Sequence, residues 1–359
     1  MALIRALALH IPIIKHETGW IVKKSTELLD RTIICCKNVG SSPWTWRIVL
    51  PPLPTTIEYQ NVKKMVLEIS SSFSNIGVLI AIPFKMDSPY IDRIIDLIYE
   101  NDNVYSSISC NDELCIDRVI DRIYGRARNT DINVYTNFAI AFGSWMESPY
   151  FPATANVSNT VGLSCSLRYA DLIKKSLVDG NGDIVFEFVT RIDNLLESLS
   201  KCAGIPYLGM DLSLSPWLSE SVAEIVEFLV GDRMGSIGSF NAIYVLNAYI
   251  RRLMKSAGVK TIGYNEVMLP VAEDLLLNER VGRGDVKLRD LMSFSIFCVP
   301  GVDMVAMPHY INYRRFLLDM LAIYEVKKTN TALRVIPTDL ESGTRIILKR
   351  FGETYVVYT

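Results

Sequence analysis

Four short segments of this 359-residue chain combine acids, a thiol or clustered glycines with turn-forming residues. "GMDLSLSP", residues 209–216, places Asp211 at the end of an apolar run. An acid near the end of a parallel strand stands where α/β proteins gather their ligands. There it could bind a substrate hydroxyl, act as a base or hold a metal. Capping a neighbouring helix is the equal alternative. "GYNEVMLPVAED", 263–274, ends in the adjacent acids Glu273 and Asp274. Buried together, such a pair divides into acid and base because like charges push their pKa values apart, although the spacing alone favours a helix cap. "CVPGVDMVAMP", 298–308, offers Cys298 and Asp303. A reactive thiolate needs positive charge or a helix amino terminus beside it. Cys298 instead follows an expected helix carboxyl end, so a buried, slow-reacting thiol is expected. No nucleophile elbow surrounds it, and His309 is too near in sequence to establish a Cys–His pair. "GDRMGSIGS", 231–239, opens a helix with glycines and serines whose N–H groups could surround an anion. It matches neither the Walker nor the dinucleotide pattern, and a tight turn with Ser236 or Ser239 as helix cap outweighs anion binding.

Composition narrows the classes. Lys and Arg total 37 against 39 Asp and Glu, so there is no polyelectrolyte signature for nucleic acid. The seven cysteines are odd in number and irregularly spaced, which argues against a secreted disulfide framework. With His10, His16 and His309 the only histidines, a zinc site is not expected. The opening "MALIRALALHIPII" is broken by Arg5 and His10 and reads as a first buried strand rather than a signal peptide. No apolar run reaches membrane-spanning length, so a cytoplasmic, membrane-free protein is expected.

The elements that must position these residues alternate. "LIRALALH", "WRIVL", "GVLIAIPF", "NVYSSIS" and "INVYTNFAIAF" read as strands, separated by helical stretches near 17–36, 57–73, 91–98 and 116–123. That rhythm is the pattern of a parallel sheet covered by helices. "SPYFPATANVSN" reads as a loop, a boundary or active-site flap. Later helices are expected at 183–202 with Phe186, Val189, Ile192, Leu196 and Leu199 inward, from Ser219, at 239–257, at 288–297 and at 313–326. Strands are expected at "YLGMD", "VDMVAM", "ALRVIP", "RIILK" and "TYVVY", making about ten in one domain over 1–359.

Taken in order, these segments resemble the family designated domain of unknown function 711, whose fold resembles the α/β barrel of pyruvate formate-lyase-like glycyl radical enzymes. "IRALALH" and "TWRIVLPPLP" resemble its first two strands, with Arg47, Pro51 and Pro52 matched. "TNFAIAF" and "SPYFPA" match at Asn137, Phe138, Ser148, Pro149, Phe151 and Pro152. "GMDLSLSP" matches at Gly209, Asp211, Ser213 and Pro216, "GSIGS" at Gly235 and Gly238, and "MLPVAED" at Met268, Leu269, Pro270, Glu273 and Asp274. The last loop keeps Cys298, Gly301, Asp303, Val305 and Pro308. It departs at Val299, Pro300, Met304 and Ala306, with His309 and Tyr310 where glycine and aspartate are usual. Asn265 and Glu266 replace a serine-glycine pair, and Ser164 stands for a glutamate. The pattern around a radical glycine is absent at Gly352.

The resulting expectation is a single α/β barrel-like domain, a divergent archaeal member of that family, with its ligand site at the strand ends. Asp211, Glu273, Asp274, Asp303 and Cys298 are the candidate catalytic residues. Ser213, Gly235, Gly238 and Gly301 are the candidate ligand-binding positions. The leading reading is an enzyme acting on a small polar metabolite. The rival is a catalytically silent metabolite-binding or partner subunit, self-associated or paired with an active homologue. The sequence names no cofactor. Asp211, Glu273 and Asp303 are expected to line one pocket with Cys298 packed behind.

Overall fold

The computed structural model describes residues 3–14, 17–298 and 301–359. Twelve strands form: β1 (Leu3–His10), β2 (Thr45–Val49), β3 (Leu79–Phe84), β4 (Val104–Ser109), β5 (Phe138–Phe142), β6 (Gly162–Arg168), β7 (Tyr207–Asp211), β8 (Val305–Pro308), β9 (Thr331–Leu333), β10 (Val335–Thr338), β11 (Arg345–Leu348) and β12 (Gly352–Tyr355). The helices are α1 (Thr18–Asn38), α2 (Tyr59–Ser72), α3 (Ile94–Glu100), α4 (Glu113–Arg122), α5 (Ala170–Asp179), α6 (Asp183–Ala203), α7 (Val222–Val230), α8 (Ser239–Ala257), α9 (Leu275–Arg283), α10 (Leu288–Phe294) and α11 (Tyr313–Lys327).

Eight strands make one sheet in the order β7-β6-β1-β2-β3-β4-β5-β9. From β1 to β5 each strand pairs in parallel with the next, as the strand–helix rhythm predicts. β6 and β9 join the edges of this block antiparallel, and β7 pairs in parallel with β6. β8 pairs with β10 and β11 with β12, each as a separate ladder. Single bridges at Leu214–Val267 and Pro270–Asp303 link the segments between β7 and β8. The regular strand ladders form no closed ring among the described residues.

The two faces of the sheet differ in residue size. Ile48, Ile80, Ile82, Val104 and Ile108 belong to the large core under the helices. The opposite face sets small residues among larger ones in register: Ala8 beside Arg47 beside Leu79, Val49 beside Ala81 beside Tyr105, Ser107 beside Ala139. Alternation along a strand separates these two sets. The helices bury single stripes; α6 packs Val185, Phe188, Val189, Ile192, Leu196 and Leu199 inward. Full burial of each large apolar side chain contributes about 1.5–3 kcal/mol. Phe186, expected on that face, is exposed, because Val185 takes the inward position of that turn.

Several boundaries differ from the sequence reading. Residues 132–137 form a 3-10 helix rather than the start of β5, with the Asp131 side chain capping it through Asn133 N. β6 was not expected. "ALRVIP" is two strands, parted at Arg334, because β9 pairs with β5 while β10 turns to β8. Ser221, not Ser219, caps α7, and α8 starts from Gly238 with no side-chain cap. The expectation against disulfides is corrected as well. Cys35 of α1 is bonded to Cys202 of α6, and Cys110 to Cys115. Packing of α1 on α6, invisible in cysteine spacing, brings the first pair together.

Candidate functional site

Small residues on the inner face leave room, and a cavity of about 210 Å³ fills it. Its wall takes Arg5 from β1, Arg47 from β2, Leu79 from β3, Tyr105 from β4 and Ala139 from β5. These positions lie at or before the middle of the parallel strands, at the sheet end where the antiparallel β7 finishes. The proline loop enters from the side. Phe151 packs on Ala8, Val49, Ala81 and Tyr105, and Tyr150, Pro152 and Ala153 join the lining. The Phe151–Pro152 bond is cis. Trp44, Trp217 and Phe351 complete an aromatic rim, with Trp217 edge-on to both Trp44 and Phe351.

Four buried charges alternate along one wall. Arg5 Nη2 donates to Glu273 Oε2 at 2.7 Å, and Arg334 Nη2 donates to Glu273 Oε1 at 2.8 Å. Arg334 also grips Asp303 through Nε at 2.5 Å and Nη2 at 2.8 Å. Burial opposes ionisation of Glu273, but Arg334 and Arg5 outweigh it and hold the carboxyl below its ordinary value. The Asp303 carboxyl is raised by burial against the pull of Arg334. Arg334 itself is held charged: the two acids outweigh its desolvation. Burial keeps the phenols of Tyr150 and Tyr264 protonated.

Arg47 is different. Its Nε donates to Thr45 Oγ1 at 3.1 Å and its Nη1 to the Pro149 carbonyl at 2.7 Å, while its guanidinium lies 4.9 Å from the Phe151 ring centre. It forms no ion pair among the described residues, whereas Arg350, also in the lining, pairs with Asp102. Burial and the nearby Arg5 lower the Arg47 pKa to about 10, which still leaves it charged at neutral pH.

The expected acids part company. Glu273 and Asp303 line the cavity together. Asp211 does not reach it. Wholly buried, it accepts from Ser213 N, Ser213 Oγ, Ser148 Oγ, Tyr264 N and Asn265 N. It thereby ties the proline loop to the turn carrying Tyr264, and a Cβ on Gly263 would stand 2.1 Å from its Oδ2. Ser213 serves this knot: its hydroxyl also accepts from Glu266 N. Asp274 lies outside the lining and caps two helices. It accepts from Val222 N and Ala223 N at the start of α7 and from Leu276 N and Leu277 N at the start of α9. Cys298 is buried away from the cavity, its thiol pushed far up by desolvation. Gly235 and Gly238 sit in the turn before α8, where a Cβ on Gly235 would meet the Asp285 carbonyl at 2.2 Å. Gly301 packs against the Ala332 carbonyl. His16, Val299 and Pro300 lie outside the described residues. Among the described residues no cluster of three His, Cys, Asp or Glu side chains is placed to hold a metal, and no helix is long and apolar enough to cross a membrane.

The three arginines that define the cavity were not among the expected site residues. Each interrupts an otherwise apolar strand segment, in "LIRALALH", "WRIVL" and "ALRVIP". A charge at a doubly buried strand position must find partners, so the interruption itself is the signal. His10 gives a second such signal. Its Nε2 lies 2.8 Å from Ser164 Oγ, its Nδ1 has no partner among the described residues, and burial lowers its pKa to about 4.

Fold and site together define a mixed α/β protein with a charged, aromatic-rimmed cavity on the inner face of its main sheet. The chain belongs to the family described as "Uncharacterised ACR (DUF711)", whose model matches residues 67–346. It is similar to a UPF0210 protein of Lachnospira eligens, 31% identical over 172 residues, covering 46% of this chain and 36% of that protein. It is also similar to a UPF0210 protein of Methanosarcina mazei, 30% identical over 155 residues, covering 42% of this chain and 34% of that one. The aligned part thus spans about a third of the length of these curated relatives.

Proposed function

We propose that this chain binds one small metabolite in the cavity beside Arg5, Glu273, Arg334 and Asp303. The supporting observation is the convergence of four buried, alternating charges on the wall of one cavity. Buried ion pairs add little stability over apolar packing of the same volume. Held at a cavity wall, they supply fixed dipoles that orient a polar ligand. The single bridges beyond β7 further support a barrel-like enclosure of the pyruvate formate-lyase type around that ligand.

The clamped Glu273 supports binding without turnover, while the raised carboxyl of Asp303 is what a reaction would use. Glu273 is clamped between two guanidinium groups, and the Tyr150 and Tyr264 phenols stay protonated. An enzymatic reading rests on Glu273 and Asp303 as the acids facing the space, with Asp211 positioning Tyr150 and Tyr264 behind it. The test is to purify the protein from its own cells and identify small molecules released on denaturation. About one molecule per chain is expected, and Ala139→Leu, which fills the cavity, should abolish its retention. Equal release from the filled variant, or no release from the native protein, would sink the reading.

A further inference from the structure

We propose that the ligand is a monocarboxylate with a compact apolar body, held through its carboxylate by Arg47. The assignment rests on the cavity reading above and adds the ligand's chemical class. Of the four lining arginines, Arg5 and Arg334 are neutralised by Glu273 and Asp303, and Arg350 by Asp102. Arg47 alone lacks a carboxylate among the described residues, so the wall is one negative charge short.

The remaining donors set the shape of that charge. Arg47 Nη2 has no hydrogen-bond partner among the described residues, and Nη1 uses one N–H on Pro149. The two terminal nitrogens can therefore present an end-on fork, which suits the two oxygens of a carboxylate. Tyr105 stands over the same Phe151 ring, 5.5 Å between centres. Its oxygen accepts from Arg350, and its own O–H has no acceptor among the described residues and can donate. Tyr150 and Tyr264 have already spent theirs on Ser213 or Ser215 and on Ala153. Fork and phenol match a monoanion; a phosphate dianion would bring a second charge and a third oxygen toward Glu273 and Asp303.

Apart from Thr45, Ser215 and the two spent phenols, the rest of the wall is apolar, chiefly Leu79, Phe151, Trp217, Met268 and Leu333. A cavity of about 210 Å³ exceeds one of about 150 Å³ that admits benzene, so it has room for a benzene ring or a short branched chain beside the carboxylate.

The experiment is calorimetry on the full chain with benzoate, 3-methylbutanoate, benzamide and inorganic phosphate. Benzoate is expected to bind one per chain, at least tenfold tighter than its neutral isostere benzamide, and 3-methylbutanoate to bind as well. Arg47→Gln should bring benzoate down to the level of benzamide, and Arg47→Lys should fall between, with circular dichroism confirming that both variants fold. Equal affinity for benzoate and benzamide, stronger binding of phosphate, or an unchanged benzoate affinity in Arg47→Gln would overturn the assignment. If neither carboxylate binds while the native protein still releases a metabolite that Ala139→Leu does not retain, the carboxylate class fails and the cavity reading stands.

Discussion

Glu273 and Asp274 are neighbours in the chain and both are buried, yet they belong to different regions and different physics. Glu273 meets guanidinium groups at the wall of a cavity; Asp274 meets backbone N–H groups at the junction of α7 and α9. Fixed positive charge pulls the Glu273 carboxyl below its ordinary value, while burial, only partly offset by dipolar donors, leaves that of Asp274 raised. A carboxylate among N–H groups organises the fold, whereas one shared by two arginines at a cavity wall leaves an electric field in open space. The pair of letters "ED" says nothing of this difference.

The comparison can be broken most directly at Glu273. Glu273→Gln leaves Arg5 and Arg334 buried with their shared partner neutralised, and urea unfolding should show a loss of about 3–5 kcal/mol. A loss below that of Asp274→Ala would erase the distinction between the two acids.

Acid titration separates charge pairing from bare burial. Because the Glu273 pKa is depressed, its contribution is present above the ordinary carboxylate value, 4.5, and disappears as pH falls through the lower folded value. His10 acts in a different window. Its pKa is lowered from 6.5 to about 4, so folding favours the neutral ring. Its contribution is complete above 6.5 and is lost as pH falls toward 4, roughly 3 kcal/mol at about 1.4 kcal/mol per pKa unit. His10→Asn should flatten the stability profile between those limits; an unchanged slope there would refute the assignment.

Asp274→Ala removes the shared cap of two helices and should cost about 2–3 kcal/mol while leaving retention of the cavity ligand intact. Loss of the ligand in a folded Asp274→Ala protein would join the two regions again. Asp211→Asn is the mildest change. An amide accepts through one atom where the carboxylate used two, so about 1–2 kcal/mol should be lost. Ligand retention should weaken because Tyr150 and Tyr264 lose their common anchor. Unchanged retention would leave Asp211 with a purely structural part.

The parallel block β1–β5 was legible because its strands are apolar and its helices keep one buried stripe each. β6 was not, since its inward positions are Ser164 and Ser166 and a proline loop precedes it. Sequence could place Glu273 and Asp303 at turns beside strands, and they meet through Arg334. It could not tell that Asp211 and Asp274 would be saturated by N–H donors from segments about fifty residues away. Arg47 was legible only as a matched family position; its missing counter-charge is a fact of three dimensions.

The cavity's position at the amino-terminal ends of β1–β5 has an electrostatic consequence. α1, α2 and α3 run back from the far end of the sheet and finish just before β2, β3 and β4 begin. Their carboxyl termini, the negative poles of the helix macrodipoles, therefore gather at this end. Many anion sites borrow half a positive charge from a helix start. Here the backbone offers the reverse, a weakly repulsive background that only side chains can overcome. Arginines rising from the strands themselves answer that background, since the helix starts of α7 and α9 beside Glu273 are already taken up by Asp274.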